Sequence, residues 1–459
     1  MCGIVGIYGV TEASKYIYFG LYSLQHRGQE AAGIACFDGK RIREYKSLGL
    51  VSEVFKERTL QELPGEIAIG HVRYSTTGSS TLQNVQPFCV TFAQKTLALA
   101  HNGNLVNAHT LRCELEEEGH IFQTTMDSEV IMHLVVRYLK EGLVTAISKA
   151  MRKIRGAYSV VLLCDNILVA FRDPWGFRPL SLGMINGGYA LASETCAFDL
   201  LGVEYLRDVA PGEILVIDES GPKSYFPFER EPQALAHCIF EFIYFARPDS
   251  LIFQKNVYSV RKHLGFNLYK ECPLSADFVM PFPDSGTYAA LGYSQSSGLP
   301  LEFGVIRNHY IGRTFIQPSE KLRDLSVKMK LNPVKDFIRG KEVIVVDDSL
   351  VRGTTSKNRI RGIKLAGAKR IHFLISCPPL RYPCFFGIDF PQAKELIASK
   401  HSVEEIKKFL DIDTLYYLSL EGLLDSVGDL KDKVCLACFT GNYPVEVDFS
   451  FRKDITEIK

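Results

Sequence analysis

Residues 343–355, VIVVDDSLVRGTT, restrict the fold more than any other stretch of this chain. Val343, Ile344, Val345 and Val346 form an unbroken β-branched run. Such a run reads as a strand buried on both faces, because a half-buried strand would alternate with polar residues. A helix is expected over 356–365, closed by Gly367 as its C-cap, and a second apolar strand over 371–376. Strand, helix and strand in succession make a βαβ unit, which requires a parallel sheet.

The same stretch carries chemistry. The strand delivers Asp347 and Asp348 to its C-terminal edge, and Ser349, Arg352, Gly353, Thr354 and Thr355 then lead into the helix. Backbone N–H groups and hydroxyls at a helix N-terminus suit a phosphate, and the helix dipole favours the anion. Carboxylates suit ribose hydroxyls and Mg²⁺, an ion that prefers oxygen ligands. A structural turn capped by acids is the alternative, but the acidic pair and the hydroxylated loop occur together. No GxxxxGK[ST] Walker loop exists in the sequence.

A second strand edge lies at 278–286, FVMPFPDSG, with a helix expected over 287–293 and Ser285 as a further oxygen ligand. Between the two edges, residues 316–337 carry Lys321, Arg323, Lys328, Lys330 and Lys335. This is either a solvated basic helix or, beside a pyrophosphate, a mobile lid that excludes water.

The first half has a different texture. Strands are expected over 3–10, 31–37, 67–72, 96–100, 158–164, 167–172, 188–192 and 213–217, and helices over 13–24 and 128–140. Many strands and few helices imply an α+β domain on antiparallel sheets. The prolines Pro222, Pro227 and Pro232 among charges place a boundary within 221–234, giving domains at 2–230 and 231–459. The length of 459 residues accommodates two such domains.

Cys2 stands directly behind Met1, so removal of Met1 leaves a thiol and an α-amine on one residue. The amine then serves as base for the thiol, as in N-terminal nucleophiles generally. Polar residues gather at the expected strand ends around it: HRGQ at 26–29, HVRYST at 71–76, HNGN at 101–104, and Asp127. Arg27 and Arg73 are natural carboxylate clamps. Asp127 suits an α-ammonium group or, more simply, a helix cap. Asn102 and the Gly103 N–H suit an oxyanion hole. Together they describe a site for an amino acid with a side-chain amide.

CGIVGIYG, QHRGQE, HVRYSTTG and HNGNL resemble the class II glutamine amidotransferases, and VVDDSLVRGTTS resembles the loop by which phosphoribosyltransferases bind phosphoribosyl pyrophosphate (PRPP). With ARPDS (246–250), PFPDSG and GRTFIQP added, the chain from Cys2 to about Tyr443 is similar to the glutamine PRPP amidotransferase family. The resemblance implies an N-terminal-nucleophile glutaminase of αββα layers, followed by an α/β phosphoribosyltransferase domain with a mostly parallel sheet. It implies the first step of purine synthesis: glutamine and PRPP become phosphoribosylamine, glutamate and pyrophosphate. Cys2 would be the nucleophile, Asn102 and Gly103 the oxyanion hole, and Arg27, Arg73 and Asp127 the glutamine contacts. Ser285, Asp347 and Asp348 would form the Mg²⁺ site. Purine-nucleotide feedback and a homotetramer or homodimer are implied as well. Arg307 and Lys328 depart from the family, which usually has Lys and Arg there; this bears on the pyrophosphate contacts.

The net charge of +1 speaks against a nucleic-acid backbone or an anionic membrane as partner. Lys15 interrupts the N-terminal region, and no run reaches ~18 apolar residues, so a cytoplasmic location is expected. There the 12 cysteines are not a disulfide framework. Some family members hold a 4Fe–4S cluster through positions matching Cys238, Cys384, Cys435 and Cys438; a Cys₄ zinc site would use the same thiolates. Cluster-bearing relatives often carry a short propeptide where this chain has only Met1. Cys36, Cys89, Cys113, Cys164, Cys196, Cys272 and Cys377 read as small buried hydrophobes. A nucleobase-salvage phosphoribosyltransferase and a PRPP-sensing regulator are the competing readings; neither needs Cys2, Arg73, Asn102, Gly103 and Asp127 together.

Overall fold

A computed structural model describes residues 1–75, 80–229, 234–308, 331–389 and 392–447. Its first half stacks two antiparallel sheets, one of seven strands and one of six. In the seven-stranded sheet the first strand, Gly3–Tyr8, lies between Gly188–Ala192 and Ile67–Arg73. Alternation along this strand sets the layers. Val5 and Ile7 face the helices Ala13–Ser23 and Cys196–Leu201, whereas Ile4 faces the other sheet. Gly156–Cys164, in the six-stranded sheet, mirrors it: Val161 and Leu163 fill the space between the sheets, and Val160 and Leu162 meet the helices Asp127–Tyr138 and Leu143–Lys153. Period-two patterning with both faces covered gives the αββα stack.

The stretch read as a boundary begins with a strand. Gly221–Tyr225 is the edge strand of the six-stranded sheet, paired with Ile214–Asp218. Pro222 is tolerated there because an edge strand needs only half its ladder bonds. The expected break at 230/231 lies outside the described residues.

The second half is built on a parallel sheet of four strands in sequence order: Phe278–Pro281, Glu342–Asp347, Arg370–Ile375 and Thr414–Tyr417. The helix after the acidic strand, Thr354–Leu365, starts two residues before expectation. Its C-cap is Ala366; Gly367 follows at φ 92° and reverses the chain, which is the position glycine favours beyond a helix end. Helices Val257–Glu271 and Thr287–Ser297 pack closely because Gly265 and Gly292 leave room. A Cβ on Gly265 would lie 1.9 Å from the Ala289 carbonyl oxygen. Among the described residues no helix is long and apolar enough to cross a membrane.

Candidate active sites

Cys2 precedes the central strand, is 8% exposed, and is held from three directions. Its N–H donates to Asn102 Oδ1 at 3.1 Å, its Sγ lies 3.5 Å from the Tyr74 carbonyl oxygen, and its own carbonyl accepts from Arg27 Nε at 3.0 Å. Asn102 reaches it from the opposite sheet, on the strand Lys95–Leu105, where it pairs with Ser159. With Oδ1 engaged, the Asn102 Nδ2 is left buried without a hydrogen-bond acceptor. A buried unsatisfied donor costs about 1–3 kcal/mol, so this one is held ready for an acceptor that arrives with a ligand.

In front of the thiol lies a pocket lined by Cys2, Arg73, Tyr74, Gly103, Asp127 and Ser128 among others. Arg73 is fixed by its Nη1 donating to the Asn84 carbonyl. Asp127 is not a helix cap. It is the first residue of Asp127–Tyr138, and its Oδ2 accepts the Leu105 N–H at 2.9 Å, tying that helix to the Asn102 strand. Behind the pocket, His101 Nδ1 and Gln86 Nε2 both meet Ser128 Oγ, at 3.1 and 3.0 Å. Thr76 and the rest of HVRYSTTG lie outside the described residues.

Arg27 departs from its expected role. Its guanidinium does not line the pocket but is wholly buried between Glu194 and Glu241. It binds Glu241 at 2.8 and 3.1 Å, and Arg178 approaches the same carboxylate at 3.3 Å. Burial alone would raise the Glu194 carboxyl, but His26, Arg27 and the Arg247 N–H hold it well below the usual carboxylate range. ARPDS finds its use here: the Arg247 N–H and Ser250 Oγ donate to Glu194 Oε2 at 2.9 and 2.7 Å. Glu194, Glu241 and Arg178 carry no motif legible in the sequence, since their partners come from distant segments.

At the other site the two expected strand edges converge. Asp347 ends its strand and is 3% exposed, and Asp348 follows at 5%. Ser285 Oγ donates to Asp347 Oδ1 at 3.4 Å, and Arg359 Nη1 lies 3.7 Å from Asp347 Oδ2. Burial, together with the neighbouring Asp348, pushes the Asp347 carboxyl well above its ordinary range. Such an acidic pair gains most from a cation. Gly353, at φ 79°, immediately precedes the helix, and its missing Cβ leaves room for Ile397, whose Cδ1 would lie 2.7 Å away. Ser349 binds Asp348, and Arg352 pairs with Glu395 at 2.6 Å beside the loop. Arg307 forms an ion pair with Asp284. Lys321, Arg323, Lys328, Lys330 and GRTFIQP lie outside the described residues; Lys335 opens the short helix Lys335–Ile338.

All 12 cysteines are free. Cys238, Cys384, Cys435 and Cys438 line one cavity, with Phe177, Arg178 and Phe386 in its wall. Cys238 and Cys435 sit opposite each other on a two-residue parallel pairing. Burial pushes the Cys238 thiol up to about 11 and those of Cys435 and Cys438 upward as well. Among the described residues no three His, Cys, Asp or Glu side chains converge as ligands of one metal ion. Of the cysteines read as buried hydrophobes, Cys113 is exposed on a helix surface, and Cys89 and Cys272 are half-buried.

Residues 71–199 match the glutamine amidotransferase domain family. Over nearly the whole chain the protein is similar to the amidophosphoribosyltransferase of Methanocaldococcus jannaschii, 49% identical over 98% of both chains. It is also similar to the Bacillus subtilis enzyme, 48% identical over 97% of this chain and 94% of that one. A solved structure of B. subtilis glutamine PRPP amidotransferase complexed with ADP and GMP superposes with a TM-score of 0.92 at 48% identity, over 97% of this chain and 98% of that one. With both halves matched in one continuous alignment, the chain belongs to the amidophosphoribosyltransferase family.

Proposed function

We propose that the chain converts glutamine and PRPP to 5-phosphoribosylamine, glutamate and pyrophosphate, opening purine biosynthesis. The observation that carries this reading is Cys2 bound to Asn102 Oδ1, with Asn102 Nδ2 left unpartnered, on the same chain as the Asp347–Asp348 strand edge.

Once Met1 is removed, the Cys2 amine would occupy the position from which the Cys2 N–H now donates to Asn102 Oδ1. Arg73 would take the glutamine α-carboxylate and Asp127 the α-ammonium. The thiol attacks the side-chain amide carbon as its proton passes to the amine. The developing oxyanion takes hydrogen bonds from Asn102 Nδ2 and the Gly103 N–H. Collapse expels ammonia, which leaves with that proton, and water then releases glutamate from the thioester. Ammonia attacks C1 of PRPP and pyrophosphate departs. Asp347 and Asp348 would bind the ribose and Ser349, Arg352, Gly353, Thr354 and Thr355 the 5-phosphate at the helix N-terminus. Mg²⁺ would be held by Ser285, Asp347 and Asp348, where it would neutralise the leaving pyrophosphate. The raised Asp347 carboxyl supports a cation there.

Cys238, Cys384, Cys435 and Cys438 would hold a 4Fe–4S cluster. Single zinc requires four sulfurs about 2.3 Å from one point. Thiols spread over the wall of one cavity, with no three of them converging on one point, support the larger group. Anaerobic purification with iron, sulfide and zinc analysis tests this, and a zinc-bearing or metal-free product would overturn it. The division at 230/231, feedback by purine nucleotides, a homodimer or homotetramer and a cytoplasmic location belong to the same reading. The test of the activity is Cys2→Ala, which should abolish glutamine-dependent turnover and retain ammonia-dependent turnover. Equal loss of both, or of neither, would refute two sites in series.

A further inference from the structure

The thiol-lined cavity and the oxyanion hole are joined by one short segment. Cys384 is in the cavity wall, and three residues later Gly387 lies against Gly103. A Cβ on Gly387 would stand 2.9 Å from the Gly103 carbonyl carbon, 3.0 Å from its oxygen and 3.1 Å from its Cα. On its other side Gly103 is equally confined, since a Cβ there would meet the Ala157 carbonyl oxygen at 2.0 Å. The Gly103 Cα and carbonyl are therefore wedged between a strand of its own sheet and a loop from the second half of the chain, which fixes the Cα from which the Gly103 N–H projects.

That loop is firmly seated. The Phe385 carbonyl accepts from Asn104 Nδ2 at 3.0 Å, one residue beyond Gly103. The Phe386 carbonyl accepts from Arg178 Nε at 3.0 Å. The Phe386 ring stacks on Phe177, with centroids 4.3 Å apart and planes 20° from parallel. The Phe386 N–H points to Cys384 Sγ at 3.4 Å, so the turn is folded around the thiol itself. Gly387 has φ 100°, a conformation that side chains strain against.

We propose that Gly387 is a positioning residue for the glutaminase: the 384–387 segment, hung from the cysteine cavity, fixes the Gly103 N–H where the oxyanion forms. This inference rests on the glutaminase reading above. It assigns the second half of the chain a part in the first half's chemistry.

Replacing Gly387 by Ala pushes a methyl group into the Gly103 backbone. A displacement of the order of 1 Å at a catalytic donor costs up to about a hundredfold in rate. With PRPP present, Gly387→Ala should lower kcat for glutamate release roughly tenfold to a hundredfold and leave KM for glutamine unchanged. Ammonia-dependent phosphoribosylamine formation should persist. Glutamate γ-semialdehyde, which forms a tetrahedral adduct on the thiol, should bind more weakly by a similar factor. Alkylation of Cys2 by iodoacetamide, which develops no oxyanion, should keep its rate. Unchanged kcat, a change confined to KM, or equal loss of both activities would overturn the proposal. If Gly387→Ala fails to fold, Asn104→Ser removes the tie to Phe385 and should give the same kcat loss; full kcat there would overturn the proposal equally. A wild-type protein that releases no glutamate would instead refute the glutaminase reading.

Discussion

Arg27 separates two accounts of the first site. If it clamped the substrate carboxylate, its loss would raise KM for glutamine. Its geometry says otherwise: Nε donates to the Cys2 carbonyl at 3.0 Å, and the rest of the fork is taken up by Glu194 and Glu241. Arg27→Lys keeps one charge but cannot keep the Nε bond and both carboxylates at once. It should lower kcat for glutamate release with KM unchanged. Arg27→Met goes further and leaves Glu194 and Glu241 buried with one cation fewer. Breaking such a pair costs about 3–5 kcal/mol. Domains of this size lose roughly 2–4 °C in Tm per kcal/mol, so a fall of about 6–20 °C is expected. Calorimetry on wild type, Arg27→Met, Glu241→Gln and the double variant measures it. The double variant should be more stable than the sum of the singles indicates, because the two charges disappear together. An unchanged Tm in Arg27→Met, or a rise in KM alone in Arg27→Lys, would refute the positioning role.

Further expectations follow from other residues. Asn102→Asp keeps the acceptor for the Cys2 amine and loses the donor, so kcat for glutamate release should fall about 10²–10³-fold, read by a coupled glutamate assay. His71 is buried with neither ring nitrogen paired, and burial, aided by Arg73 and His101, lowers its pKa to about 3. The native state then binds fewer protons than the unfolded state, so stability is full above about pH 6.5 and is lost as pH falls toward 3. By pH 5 the loss is about 2 kcal/mol, and urea midpoints should show His71→Phe without it. Asp348→Asn should abolish phosphoribosylamine formation from ammonia and glutamine alike while basal glutamate release persists, measured in parallel assays.

Periodicity carried most of the architecture. Apolar runs mark Gly3–Tyr8 and Gly156–Cys164 as strands, and the continuous apolar run at Val343, followed by a helix and a further strand, marks the parallel sheet. It failed where chemistry interrupts the pattern. The strand Lys95–Leu105 runs straight through the polar His101–Asn102–Gly103–Asn104 stretch, because the partner strand satisfies that backbone, with Asn102 opposite Ser159. Cys2, Asn102, Gly103 and Asp127 could be gathered from motifs because each stands in a short polar or small-residue stretch that interrupts an apolar pattern. The ion cluster could not, since Arg27 is 167 residues from Glu194 and 214 from Glu241. A sequence shows that an arginine is present but not which way it points. The contact between Gly103 and Gly387 is equally invisible, being made by the absence of two side chains.

The proposed function has one chain free ammonia at Cys2 and use it at the Asp347–Asp348 edge, and it predicts that this ammonia does not mix with bulk water on the way. Amide-¹⁵N glutamine, PRPP and an excess of ¹⁴N ammonium at a pH that keeps it protonated test this directly, with the phosphoribosylamine trapped and its isotope content read by mass spectrometry. Product carrying ¹⁵N at nearly the enrichment of the glutamine amide is the expected result. Product carrying the isotope ratio of the bulk ammonium would contradict the account.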